Sequence, residues 1–102
     1  MQAAPIAIEQ RILLTGATGF LGGAVTAQLL AEGHGDNLSF LVRADSREQG
    51  LQRLRDNLRQ HGVGDCASQA LHAEQIILGD FLDTTWLPRE TPRLMQIDRV
   101  IN

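Results

Sequence analysis

Short apolar runs that stop abruptly alternate along this chain with longer stretches in which apolar residues return every turn of a helix. "RILLT", Arg11 to Thr15, is the first such run; too short for a helix and cut off by glycine, it predicts a buried strand. From Phe20 to Glu32, Leu21, Val25 and Leu29 recur at four-residue spacing with Ala24 between them. That spacing predicts a helix with one core-facing stripe, stopped by Gly33. "NLSFLV", Asn37 to Val42, follows the turn formers Gly33, Gly35 and Asp36 and predicts a second strand. Asp45 with Glu48, or Ser46 with Gln49, offers a capping box ahead of a stripe of Leu51, Leu54 and Leu58. A second helix is therefore expected from Ser46 to His61, weakened slightly by Gly50.

Beyond this helix the pattern is less regular. A connection holding Gly62, Gly64 and Cys66 shows no clear period, after which "EQIILGD" predicts a third strand and "IDRVIN" a fourth. Between those strands, "TTWLPRETPRLMQ" carries two prolines and is expected to be loop with one helical turn at most. Strands alternating with helices imply right-handed parallel crossovers and a sheet covered on both faces. The fold class is therefore α/β, a doubly wound parallel sheet of about four strands in the order β-α-β-α-β-β.

The junction of the first strand and first helix carries the clearest chemistry. Backbone N–H groups that converge at a helix N-terminus lack intrahelical partners and sit at the positive end of the helix dipole, so they suit a phosphate group. Gly16, Gly19 and Gly22 stand there at three-residue intervals. A missing side chain helps a tight turn at Gly16, close approach of a pyrophosphate at Gly19, and helix–sheet packing at Gly22, with Gly23 a permissive neighbour. The spacing is G-x-x-G-x-x-G rather than G-x-G-x-x-G, and its placement after a strand and before a helix is what gives it weight. Thr15, Gly16, Thr18, Gly19, Phe20, Leu21 and Gly22 are the candidate cofactor-binding residues of this Rossmann-type loop.

The end of the second strand is the next place to look, because NAD-binding sheets set an acid there for the ribose 2′-hydroxyl and NADP-binding ones an arginine for the 2′-phosphate. "LVRADSR" puts Arg43 at that point, a planar cation able to grip a phosphate bidentately or equally to sit solvated at a strand end; Asp45 leaves room for NAD. In "GDFLD", Asp80 and Phe81 follow the third strand on the same edge, where Asp80 suits either an adenine amine or an ordinary loop. Asn102 ends the fourth strand and would face the ribose or nicotinamide side. Trp86 is expected to pack rather than bind, and His34, His61 and His72, in loops or at a helix end, are assigned no role.

Composition narrows the classes. At 102 residues the chain is one domain at most, and 43% hydrophobic with 21% charged residues is usual for a globular protein. No window approaches the roughly 20 apolar residues of a membrane span. "MQAAPIAIEQ" lacks the basic and apolar regions of a secretory signal, so a cytoplasmic location is expected. The single Cys66 forms no internal disulfide and is expected as a small buried or loop thiol, and no Cys/His cluster has metal-ligand spacing. A net charge of −3 with nine scattered basic residues offers no footprint for nucleic acid. All nine are arginines; the chain has no lysine and no tyrosine.

Thr15, Gly16, Gly19 and Gly22 match T-G-x-x-G-x-x-G, and on these residues the chain resembles the extended short-chain dehydrogenase/reductase superfamily. "LLTGATGFLGG", "FLVRA" leading into a leucine-bearing helix with "RL", then "GDF" and "IDRVIN", make it similar to the thioester reductase and fatty acyl-CoA reductase branch from Arg11 onward. The resemblance implies NADPH as reductant of an acyl thioester on CoA or a carrier protein, giving aldehyde or alcohol. It also implies that the glycines cradle the pyrophosphate, Arg43 meets the 2′-phosphate, and Asp80 with Phe81 lines the adenine pocket. The family's chemistry uses a Tyr-x-x-x-Lys pair and a Ser or Thr, the tyrosine protonating the developing alkoxide. Neither Tyr nor Lys occurs here. Residues 1–102 are accordingly expected to be the amino-terminal part of a single NAD(P)-binding Rossmann domain, inactive alone. An unpaired apolar edge after the fourth strand is expected to bring partial disorder or self-association. Two alternatives are an NAD-dependent sugar-nucleotide epimerase or dehydratase of the same superfamily, and a non-enzymatic nucleotide-binding module.

Overall fold

A computed structural model of the chain describes residues 10–79 and 84–101. Strands β1 (Ile12–Thr15), β2 (Leu38–Val42), β3 (Ile76–Leu78) and β4 (Arg99–Ile101) form one parallel sheet in the spatial order β3-β2-β1-β4. Thr15 lies opposite Leu41, Leu14 opposite Ile101, and Val42 opposite Leu78, so the carboxyl ends of all the strands share one edge. The chain steps outward from β1 to β3 and then returns to the other side of β1, which puts a topological switch point beside the end of β1, where such sheets hold ligands.

Helices α1 (Phe20–Ala31), α2 (Arg47–Gln60), α3 (Asp65–Gln69) and α4 (Leu87–Leu94) cover the sheet, with short 3₁₀ turns at Gly35–Asn37, Ala73–Gln75 and Thr84–Trp86. Successive strand residues point to opposite faces, and in β1, β2 and β3 both faces are covered, whereas β4 is partly exposed. Ile12, Leu14, Phe40 and Ile76 meet Leu54 and Leu58 of α2 and Leu29 of α1. Leu13, Leu41 and Ile77 meet Trp86, Leu94 and Ile97, so Trp86 packs as expected. Double burial explains why the strands read as unbroken apolar runs. No helix among the described residues is long and apolar enough to cross a membrane.

Helix α2 lies within a residue of its expected bounds, and its cap resolves the choice left open by the sequence. Ser46 Oγ accepts from Gln49 N–H at 3.1 Å, while Gln49 Oε1 accepts from Asp45 N–H at 2.7 Å. Gly62, at φ +82°, ends the helix in a left-handed step, with Val63 N–H donating to the Leu58 carbonyl at 3.0 Å. Gly33, at φ +85°, does the same for α1. Gly50 is buried against β3, where a side-chain carbon would come 3.0 Å from Ile76.

The stripe expected on α1 is corrected at Leu21, while Val25 and Leu29 pack against the core as expected. Leu21 is 74% exposed, and the buried face consists of Gly23, Thr26 and Leu29. Gly23 is kept small by Asn57 of α2 and His61 at its end, and Thr26 satisfies its buried hydroxyl by donating to the Gly22 carbonyl at 2.8 Å. Two helices also replace expected irregular chain. Cys66 stands exposed on α3 rather than buried or in a loop. In α4, Pro88 falls in the first turn, where its missing N–H has no partner to lose, and Pro92 lies inside the helix. Glu90, fully buried, fastens this segment: Arg47 Nη2 donates to Oε1 at 2.8 Å, Arg89 Nε lies 3.5 Å from Oε1, and Arg93 Nε lies 3.7 Å from Oε2. Arg47 Nε also donates to the Ile76 carbonyl at 3.2 Å, tying α4, α2 and β3 together.

Candidate functional site

The turn after β1 is built by backbone. Gly16 takes φ +74°, and Gly19 N–H donates to the Gly16 carbonyl at 2.9 Å, closing a reverse turn from which α1 springs. Gly19 occupies the cap position with no side-chain cap, and the first turn of α1 holds no acid. The first intrahelical bond runs from Gly23 N–H to the Gly19 carbonyl at 2.9 Å, so the N–H groups of Phe20, Leu21 and Gly22 precede it at the positive end of the dipole. At Gly22 a side-chain carbon would sit 2.1 Å from the Gly16 carbonyl oxygen; only glycine lets the helix seat on the turn. At Gly19 the same carbon would lie 3.3 Å from that oxygen.

Thr15 is buried at the end of β1, its Oγ1 3.5 Å from the Ile101 carbonyl oxygen, and Thr18 is half-buried in the turn. The side chains of Phe20 and Leu21 stand in solvent, with the Phe20 ring centroid 5.5 Å from that of His61. Gly23 does more than permit its neighbours. It is buried, and a side-chain carbon there would fall 2.5 Å from Asn57 Nδ2 and 2.6 Å from the His61 ring.

That amide is the residue the sequence pattern missed. Asn57 Nδ2 donates to the Ala17 carbonyl at 2.8 Å and to the Gly19 carbonyl at 2.9 Å, gripping the turn from α2. The one local sign is an asparagine between Leu54 and Leu58, on a turn of α2 flanked by core positions.

A cleft of about 330 Å³ opens at the carboxyl ends of β2 and β3, lined by Arg43, Asp45, Leu78, Gly79, Trp86 and Arg89 among others. Arg43 is exposed immediately after β2, and its carbonyl accepts from Arg53 Nη1. Arg89 Nη2 donates to the Leu78 carbonyl at 2.9 Å, so two arginines and one aspartate line the cleft. Gly79 admits the Trp86 ring, which a side-chain carbon would meet at 2.6 Å. A second cleft, about 310 Å³, lies at the amino ends of the strands beside Arg11, Ser39 and Glu74, the edge where doubly wound sheets do not hold their ligands. The structure thus brings the glycine turn and Arg43 to one edge; Asp80, Phe81 and Asn102 lie outside the described residues.

Comparison with known proteins agrees with this geometry. Residues 14–101 match the NAD-binding family described as male sterility protein. The fold is similar to the terminal R domain from the myxalamid PKS-NRPS biosynthetic pathway, with a TM-score of 0.74 and 28% identity over 92% of this chain and 24% of that one. Identity is 41% over 54 residues, 53% of this chain, with L-2-aminoadipate reductase of Schizosaccharomyces pombe. It is 40% over 73 residues, 71% of this chain, with the L-2-aminoadipate reductase large subunit of Penicillium chrysogenum. The chain spans 4% and 5% of the lengths of these two relatives. The chain therefore belongs to the male sterility protein family, and it is an NAD(P)-binding, Rossmann-type segment of the short-chain dehydrogenase/reductase kind, in the thioester reductase branch.

Proposed function

We propose that residues 1–102 form the amino-terminal part of a single NADP-preferring Rossmann domain whose parent enzyme reduces acyl thioesters, held on CoA or a carrier protein, to aldehyde or alcohol. The observation that carries this reading is Arg43 in the carboxyl-edge cleft, one strand away from an uncapped glycine turn. The cradle fits a dinucleotide: no side chain caps the start of α1, and glycine keeps the Gly16 carbonyl clear at Gly19 and Gly22. In this reading the N–H groups of Phe20, Leu21 and Gly22 hold the pyrophosphate and Arg43 the 2′-phosphate. Asp80 and Phe81 line the adenine, and Asn102 faces the ribose or nicotinamide. NADPH supplies the hydride when bound. The chain contains neither Tyr nor Lys, so proton delivery to the developing alkoxide falls to residues outside it. Likeness to a PKS-NRPS R domain supports a carrier-bound acyl substrate. A cytoplasmic location goes with this reading.

Titration calorimetry of the chain with NADPH and NADH tests it. Arg43→Ala is expected to weaken NADPH by about tenfold or more, the loss of charge-assisted bonds, and to leave NADH nearly unchanged. Equal effects on both cofactors, or none, would refute the assignment. A second reading, an NAD-dependent epimerase or dehydratase, rests on Asp45 lining the same cleft. It requires that NADH bind more tightly than NADPH and that Asp45→Ala weaken NADH.

A further inference from the structure

One face of α2 reaches both ends of the candidate site. Arg53 and Asn57 stand four residues apart, so their side chains leave the helix on the same side. Arg53 Nη1 donates to the carbonyl of Arg43, just past β2. A turn later, Asn57 Nδ2 donates to the carbonyls of Ala17 at 2.8 Å and Gly19 at 2.9 Å. Two carbonyl oxygens converging on one atom identify it as the amide nitrogen, since the amide oxygen would repel both. Gly23 leaves the room this amide needs.

We propose that Asn57 is a positioning residue for the nucleotide turn, a role that rests on the dinucleotide reading of the site. A peptide unit is planar and trans, so fixing a carbonyl fixes the next residue's N–H in the opposite direction. The Gly19 carbonyl shares its peptide with the N–H of Phe20, and the Ala17 carbonyl with that of Thr18. By drawing both oxygens toward α2, Asn57 turns both N–H groups away from α2. The Gly16–Gly19 turn has glycine at each end, and its own hydrogen bond holds only the outer pair of residues. Between them, the Ala17–Thr18 peptide is held from α2, and just past the turn the Gly19 carbonyl is shared by Asn57 and the Gly23 N–H. Arg53, bonded to the strand end that carries Arg43, sets that end in the same frame.

The test compares NADPH with adenosine 2′-monophosphate, which keeps the adenine and 2′-phosphate but has nothing on the 5′ side, on the full chain. Asn57→Ala should weaken NADPH about tenfold while adenosine 2′-monophosphate changes by less than about twofold. Amide hydrogen exchange of Gly19 and Gly23, whose N–H groups bond to the Gly16 and Gly19 carbonyls, should quicken without ligand, with strand amides unaffected. Asn57→Asp keeps the volume but turns a carboxylate on two carbonyls, and should lose at least as much; Gly23→Ala, which displaces the amide from the other side, should act likewise. These substitutions leave the core leucines of α2 in place, and the exchange measurement needs only a folded chain. Equal loss for both ligands, or NADPH affinity and exchange unchanged in Asn57→Ala, would overturn the role while leaving the site intact. A wild-type chain that binds neither ligand would overturn the site and this role together.

Discussion

Gly16 and Gly22 are both glycine for different reasons, and substitution separates them. A side-chain carbon at Gly22 would lie 2.1 Å from the Gly16 carbonyl oxygen, 2.5 Å from its carbon and 3.0 Å from Ala17 N. Nonbonded heavy atoms settle at roughly 3.5 Å, so the overlap is on the order of 1 Å. It falls on backbone, which cannot swing aside as a side chain can. Overpacking of this kind costs about 1–3 kcal/mol or more, partly offset by the helix preference of alanine, up to about 1 kcal/mol. We expect Gly22→Ala to lose about 2 kcal/mol, lowering the melting temperature by roughly 8–16 °C in a domain of this size. At Gly16 the added carbon would touch nothing within 4 Å, and the obstacle is φ +74°. Gly16→Ala should therefore cost about 1–2 kcal/mol, and Gly16→Asn less, because asparagine tolerates the left-handed region. Thermal and urea unfolding followed by circular dichroism, with the urea slopes checked for constancy, measure all three variants. Gly22→Ala melting within a degree or two of wild type would refute the close approach of α1 to the turn. Gly16→Asn as damaging as Gly16→Ala would refute the backbone explanation.

Two further outcomes follow from the structure. Glu90→Ala leaves Arg47, Arg89 and Arg93 without their shared carboxylate and should cost about 3 kcal/mol, the low end for a broken buried pair because Arg47 is partly exposed, whereas Arg47→Met with Glu90→Leu should recover most of it; an equal loss in single and double variants, read by thermal melting, would sink the idea. Val100, 55% exposed on β4, lies on a strand that pairs only with β1 among the described residues, so concentrated chain should self-associate and Val100→Lys should reduce it, a result that light scattering showing monomer at every concentration would contradict.

The strands, α2 and the glycine turn were legible because each is written locally. "RILLT" and "NLSFLV" are apolar on both sheet faces, and the leucines of α2 mark a single buried stripe. Helix α4 was hidden although its period is helical. Trp86, Glu90, Leu94 and Ile97 follow one another at spacings of four, four and three, but the second is charged, and two prolines disguise the rest. The carboxylate is core only because Arg47, forty-three residues earlier, reaches it, and no local window contains that fact. On α1 the failure ran the other way. Leu21 has the right type and spacing for the core, yet it is exposed, and the first buried positions of the helix are Gly23 and Thr26, with Gly23 kept small by Asn57 of α2 and His61 at its end.

The same contrast separates the two parts of the candidate site. A turn that needs φ +74° favours glycine, and a helix start that admits no side chain at Gly22 demands it, so the requirement appears in the sequence where it acts. A clamp has no such signature. Asn57 grips carbonyls that belong to Ala17 and Gly19, forty and thirty-eight residues away, and any carbonyl would accept its bond. What makes the amide specific is the helix that delivers it, capped at Ser46 and anchored by Leu54 and Leu58, with Gly23 cleared opposite. If the glycine turn holds a pyrophosphate as proposed, cofactor affinity should depend on α2 as well as on the turn, and substitutions one helix away from the ligand should tune it.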